Sequence, residues 1–276
     1  MRSAERALPL RHALALGLLQ GPTELLPVSS SGHTTLLPLL AGWPYGELDG
    51  AQRKSFEVAL HAGAGVALAI HMRGELRRQI VDMDGPRSGF LALSLLPPTV
   101  VGLIFGEAIE RRLGGPRSIA AGLIGGGLAM AIADLVGPRS GRGREEAGPL
   151  DGLALGLAQA AALIPGVSRS GATLAAARAR GFGRGAARSL SWEAALPVIV
   201  GASALQGARL AHRGITQGTR AALAVGAISA FVSTLGSARV LGPRRPSERS
   251  LLPFALYRCL LAAASLVRAP ASGGAR

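Results

Sequence analysis

The chain has 276 residues, 49% of them hydrophobic, with a mean hydropathy of +0.35 and a formal net charge of +14. Its apolar residues fall in charge-poor runs rather than amphipathic stripes, which excludes an ordinary soluble domain and points to a membrane protein. Nucleic-acid binding is set aside: aromatics are 4%, Lys54 is the only lysine, and the arginines sit between apolar runs as loop and interface anchors.

The N-terminus, MRSAERALPLRHALALGLLQ, resembles a signal peptide only superficially. No small-residue cleavage site follows, so it reads as mature protein. The run Ala13–Leu19 is too short to cross a hydrocarbon core, which needs about 20 apolar residues. It leads into Gln20–Thr34, QGPTELLPVSSSGHT, and then into a second short run, Thr34–Gly42. Two half-length helices around a Pro/Ser/Gly break predict a re-entrant pair, tolerated where the broken backbone is buried or lines a cavity.

A polar loop is expected at Trp43–Lys54, followed by spans at about Phe56–Met72, Gly89–Gly106 and Ser118–Val136. Pro97-Pro98 predicts a kink in the second. Residues 137–149, GPRSGRGREEAGP, form a charged linker at the midpoint. The order then returns. Short runs at Leu153–Leu163 and Thr173–Ala179 flank QAAALIPGVSRSGAT, and spans are expected at about Trp192–Ala208, Ala221–Ala238 and Leu251–Val267.

At a fixed offset of 139, Leu14–Thr34 and Leu153–Thr173 are identical at 11 of 21 positions, which predicts an internal duplication. The expected fold is therefore an all-α polytopic membrane protein in one integral domain over 1–276. Its inverted-topology repeats cover about 8–137 and 150–268, each a re-entrant helix pair plus three transmembrane helices. Loop cations divide 15 on the linker face and 13 on the other, a margin that only weakly puts the linker in the cytoplasm.

The differences between the copies carry the chemistry. Glu24 faces Leu163, Ser30 faces Arg169 and His33 faces Ala172. One copy keeps an acid and an imidazole, the other a guanidinium, which suggests one composite site. Serines before a short helix supply caps and free N–H groups that favour an anion, and the fork of Arg169 suits phosphate oxygens. Ser29, Ser31, Ser168, Ser170 and Thr173 are the candidate phosphate-binding residues, with Arg169. Glu24, Ser30, His33 and Arg169 are the candidate catalytic set, with Ser30 or a neighbour as the attacking hydroxyl, or a metal-bound water attacking directly, and Glu24 or His33 handling the proton. Gln20 and Glu24, four residues apart, could offer oxygens to Mg²⁺ or Ca²⁺ alongside phosphate. The plainer alternatives stand beside these: serines as caps only, His33 as a structural contact, and Glu24 as the buried partner of Arg169 without metal. Glu57 and Glu193 read as dipole or ion-pair partners, and His12, His61, His71 and His212 show no ligand spacing.

QGPTELLPVSSSGH and PGVSRSGAT, with the Phe-Glu-Val after the first loop and LLPFAxYR near the end, resemble the undecaprenyl-diphosphatase (bacitracin-resistance) family over essentially the whole chain. The resemblance implies a multi-pass inner-membrane enzyme that converts undecaprenyl diphosphate to undecaprenyl phosphate and recycles the cell-wall lipid carrier. It also implies a divalent cation, a site facing the periplasm and surrounding membrane lipids, and it leaves homodimerisation open. The family's acidic pair falls on Gln20 and Glu24. An amide in the first place makes Glu24 the main acidic group and weakens the case for a two-carboxylate metal site. A transporter or flippase of lipid phosphate or a small anion is the rival reading, since inverted repeats with midplane breaks are a transporter plan.

Overall fold

The structure is a computed structural model, and the residues it describes are 8–81, 83–138, 140–211, 217–242 and 249–268. It is all-helical, with one isolated bridge between Arg142 and Phe182 and no named strand among the described residues. Among the described residues eleven α-helices follow in chain order: α1 Leu10–Leu25, α2 Ser30–Ala41, α3 Gly50–His71, α4 Arg73–Val81, α5 Gly85–Leu113, α6 Pro116–Val136, α7 Pro149–Ala161, α8 Arg169–Ala179, α9 Arg184–Ala211, α10 Gln217–Leu241 and α11 Leu252–Arg268. Short 3-10 turns at Pro44–Glu47 and Arg144–Glu146 punctuate the first loop and the midpoint linker. Residue His212, considered above, lies outside the described residues.

Local chemistry explains most of the boundaries. Pro116 and Pro149 open α6 and α7 at a position where a missing N–H costs nothing. Asp84 caps α5 by accepting from Arg87 N–H at 2.8 Å. Gly42, at φ 65°, closes α2 in the left-handed conformation that a side chain resists. At the linker, Asp151 accepts from Arg142, Arg180 and the Gly148 N–H. Burial pushes that carboxyl up, but the Arg142 bond, the Gly148 N–H and Arg180 together outweigh it and hold it below the usual range.

By length and apolarity, α5, α6 and α10 can each cross a membrane alone, and α3 with α4 forms a further candidate bent by 66°. Only 22% of the most apolar stretch of α5 is buried, and Leu103, Ile104 and Phe105 are exposed as a lipid-facing surface would be. Six spans are expected from the sequence. Among the described residues α9 and α11 do not stand out by length and apolarity: α11 has 17 residues with Arg258 inside, and α9 opens with Arg184, Arg188 and Glu193.

The expected kink at Pro97-Pro98 does not interrupt α5. Pro98 deprives the Ser94 carbonyl of its helical donor, and Gln159 of α7 supplies one at 3.0 Å. Pro197 similarly frees the Glu193 carbonyl, which accepts from Gln79 at 3.2 Å.

Helix pairing crosses the midpoint. The first short helix, α1, packs along α10, and its counterpart α7 packs along α5. Glycines make both approaches close: a methyl at Gly21 would collide with the Ser233 backbone, and one at Gly152 or Gly156 with the carbonyls of Phe90 or Leu93. The largest buried cluster joins Phe90, Leu155, Leu174, Phe182 and Leu190; another joins Leu16, Phe56, Leu60 and Leu223. These pairings bring the breaks after α1 and α7 face to face.

Candidate active site

The two breaks end in the same local structure. Ser29 caps α2 and Ser168 caps α8, each accepting from the N–H three residues on (Gly32 and Gly171) at 3.3 Å. Their φ angles are 75° and 69°, and among the described residues no other non-glycine has positive φ. Such backbone costs about 1–3 kcal/mol and persists where the surroundings require it. Each cap hydroxyl also meets a second serine two residues on, Ser31 at 3.2 Å and Ser170 at 3.3 Å. The tips touch each other as well: Ser31 Oγ accepts from Gly166 N–H, and Ser170 Oγ donates to the Leu26 carbonyl.

Across this junction Arg169 donates to Glu24 Oε1 at 3.2 Å, while Ser30 Oγ donates to Glu24 Oε2 at 2.9 Å. Glu24, Ser30 and Arg169 therefore form one cluster built from both breaks. The guanidinium stands 5.9 Å from the centre of the Trp192 ring, which shields its other face. The side chains of Glu24 and Arg169 are 12% and 17% exposed, so their attraction is little screened and the pair still opens to a ligand.

The remaining candidates take other positions. His33 bonds the Ser29 carbonyl through Nδ1 and Tyr257 Oη through Nε2, both at 2.7 Å, with no direct bond to Glu24 or Ser30. A carbonyl only accepts, so Nδ1 carries the proton, and in the neutral ring Nε2 accepts from Tyr257. Thr173 is fully buried and bonds the Arg169 carbonyl at 2.9 Å and Ser191 at 2.6 Å. It fixes the turn that carries Arg169 rather than facing the cluster. Gln20 donates to Glu24 at 3.4 Å, and its Oε1 is buried without a partner. Glu193 is an ion-pair member, holding Arg87 at 3.0 Å and Arg144 at 2.9 Å.

Two residues gain importance only in three dimensions. Arg258 is fully buried and donates to the carbonyls of Gly166 (2.9 Å), Val167 (2.7 Å) and Gly122 (3.3 Å), pinning the second break from behind. Tyr257 holds His33. Both stand in the LLPFAxYR segment, and Arg258, like Arg169, falls inside an apolar run, but no spacing tied either residue to the breaks.

No group of three or more His, Cys, Asp or Glu side chains that could hold a metal ion occurs among the described residues, so a cage made of protein alone is not present. In this arrangement the Gln20 amide turns its Nε2 toward Glu24, so Glu24 and the orphaned, buried Gln20 Oε1 would offer oxygens to a hard cation such as Mg²⁺, with others from phosphate and water, once that amide is turned over.

Residues 13–264 match the family described as Bacitracin resistance protein BacA. The chain belongs to this BacA family. Similar proteins include one named undecaprenyl-diphosphatase from Geobacter sulfurreducens, 41% identical over 93% of this chain and 97% of that one. Others with the same name come from Geobacter metallireducens (36%, over 93% and 97%) and Pelobacter propionicus (37%, over 91% and 94%). The membrane-type helical architecture and the two serine-capped breaks are thus those of a BacA-family chain.

Proposed function

We infer that this chain hydrolyses undecaprenyl diphosphate to undecaprenyl phosphate and inorganic phosphate, recycling the lipid carrier for cell-wall synthesis. The observation that carries the reading is the Glu24–Arg169 pair at the meeting of two serine-capped helix N-termini, in a family whose relatives are named for this activity. Phosphoryl transfer demands charge neutralisation above all, and Arg169 with the N–H groups of α2 and α8 supplies it without reorganisation.

Diphosphate entering the junction displaces Arg169 from Glu24 and takes its fork. Glu24 is then free to accept the Ser30 proton along the 2.9 Å bond already in place. Ser30 Oγ attacks the terminal phosphorus, the bond to the bridging oxygen breaks, and undecaprenyl phosphate departs. Glu24 gives that proton to the departing phosphate, takes another from the water that cleaves the serine ester, and returns it to Ser30 Oγ as inorganic phosphate leaves. Glu24 and Gln20 would hold a divalent cation, which supplies charge neutralisation at the phosphate oxygens when bound. His33, bonded to Tyr257 and the Ser29 carbonyl, orients the cap that carries Ser30.

The site belongs to an inner-membrane, multi-pass protein and opens toward the periplasm. The two halves are inverted repeats, a reading supported by the matching caps at residues 29 and 168 and the crossed α1–α10 and α7–α5 packing. Purified protein, isoprenyl diphosphate and Mg²⁺ with or without chelator test the reading directly. Chelator-sensitive phosphate release supports it. Binding of the lipid without release favours transport.

A further inference from the structure

Two consecutive residues of α9 reach opposite ends of Arg169. At the backbone end, Thr173 donates its one hydroxyl proton to the carbonyls of Arg169 (2.9 Å) and Ser170 (3.3 Å). In its 2.6 Å contact with Ser191 the donor is therefore Ser191. At the side-chain end, the centre of the Trp192 ring lies 5.9 Å from the guanidinium carbon. Both α9 residues are buried.

The ring is itself held. Leu25, Leu68, Met72, Leu196 and Ala238 form one apolar cluster with it, drawn from α1, α3, α9 and α10. The next residue, Glu193, is bound by Arg87 at 3.0 Å and Arg144 at 2.9 Å, which anchors that turn of α9. Trp192 also lines a cavity of about 260 Å³, with Leu26, Leu174 and Phe254, that Arg169 does not line. Deleting the ring would leave a void adjoining both the cavity and the guanidinium. A long side chain with many rotamers would then have room to leave the junction.

Arg169 has to change partners. Its fork is on Glu24 here, and with diphosphate in the junction it is on phosphate oxygens. A third contact that neither partner replaces keeps the group in place through the exchange. An aromatic face suits that task, because it attracts a cation through its quadrupole and need not take the N–H groups the fork presents to an anion.

We propose that Trp192 is a positioning residue for Arg169, with Ser191 supporting the same residue at its backbone: the ring keeps the guanidinium over the junction while its fork passes from the Glu24 carboxylate to the diphosphate. This rests on the reading in which Arg169 takes phosphate. The role is orientation, so it belongs to the aromatic face and not to bulk.

Two measurements test it. The chain has two tryptophans, and Trp43→Phe keeps a ring against His12 while leaving Trp192 as the only emitter. That protein in nanodiscs is titrated with a non-hydrolysable isoprenyl methylenediphosphonate. We expect a saturable change in Trp192 emission that is absent from Arg169→Ala protein saturated with the same probe. The second measurement is kcat/KM for phosphate release from isoprenyl diphosphate. Trp192→Leu should lower it at least ~10-fold and Trp192→Phe no more than about threefold. In an Arg169→Ala background Trp192→Leu should cost no more than about threefold further, which a merely structural tryptophan would not show. Should Trp192→Leu lower the unfolding midpoint, the emission titration decides, since it leaves Trp192 in place. Emission indifferent to bound probe, or a Trp192→Leu loss undiminished by Arg169→Ala, overturns the proposal. An Arg169-dependent emission change in a chain that releases no phosphate would remove the hydrolase reading and leave the ring's hold on Arg169.

Discussion

The break between α1 and α2 and the break between α7 and α8 share a backbone and differ in chemistry. Both place a serine at positive φ, cap a short helix with it, and set a second serine two residues on. Yet one break carries Glu24, Ser30 and His33, while the other has Leu163, Arg169 and Ala172 at the same places. The scaffold is held constant, and the polar side chains are divided so that acid and guanidinium meet only when both breaks come together. Neither break alone could both neutralise a phosphate and take a proton.

The largest expected effect comes from removing what one break has and the other lacks. Arg169→Ala should lower turnover at least ~100-fold, the scale for one preorganised charge-stabilising group, with phosphate release as the measurement. Ser30→Ala should be comparably damaging if its hydroxyl is the nucleophile, whereas Ser170→Ala, in the opposite break, should cost no more than about tenfold. Equal losses at Ser30 and Ser170 would erase the proposed division of labour.

Intermediate effects come from the supports. Arg258→Met strips donors from the carbonyls of Gly166, Val167 and Gly122, and hydrogen bonds from a charged group are worth about 1.5–3 kcal/mol each to a fold. A lower unfolding midpoint together with lost activity is expected, and Arg258→Lys should recover part of both. Tyr257→Phe removes the 2.7 Å bond to His33 and should slow turnover by roughly tenfold or less, below the 10²-fold floor typical of a direct acid–base group. A loss as large as that of Arg169→Ala would move Tyr257 into the reacting cluster. The smallest effects belong to the shared scaffold. Ser29→Gly and Ser168→Gly each exchange a cap, worth a few tenths of a kcal/mol against glycine, for relief at positive φ. Their unfolding midpoints should shift little, and alike.

Much of this was legible in the sequence because the residues concerned obey local rules. Serine followed by glycine three places on announces a cap, short apolar runs around Pro and Gly announce a break, and the 139-residue offset aligned the two. That same offset singled out Glu24 and Arg169 as a complementary pair before any distance was known. What stayed hidden depends on long-range packing. Gln159 reaching the carbonyl freed by Pro98, Tyr257 reaching His33 across 224 positions and Arg258 bracing Gly166 leave no periodicity to read. The count of spans was blurred for a related reason: α9 and α11 carry charge that finds partners inside the protein, among them Glu193 with Arg87 and Arg258 with backbone carbonyls, so their composition resembles neither a lipid-facing span nor a loop.

The central claim is that the two breaks make one site, and a double-mutant cycle on kcat/KM for Glu24→Gln and Arg169→Ala tests it most directly. One shared site predicts strong coupling, with the double variant no more than about threefold worse than the weaker single variant. Losses that simply multiply would mean that the carboxylate and the guanidinium act independently, in contradiction of a site composed from both halves.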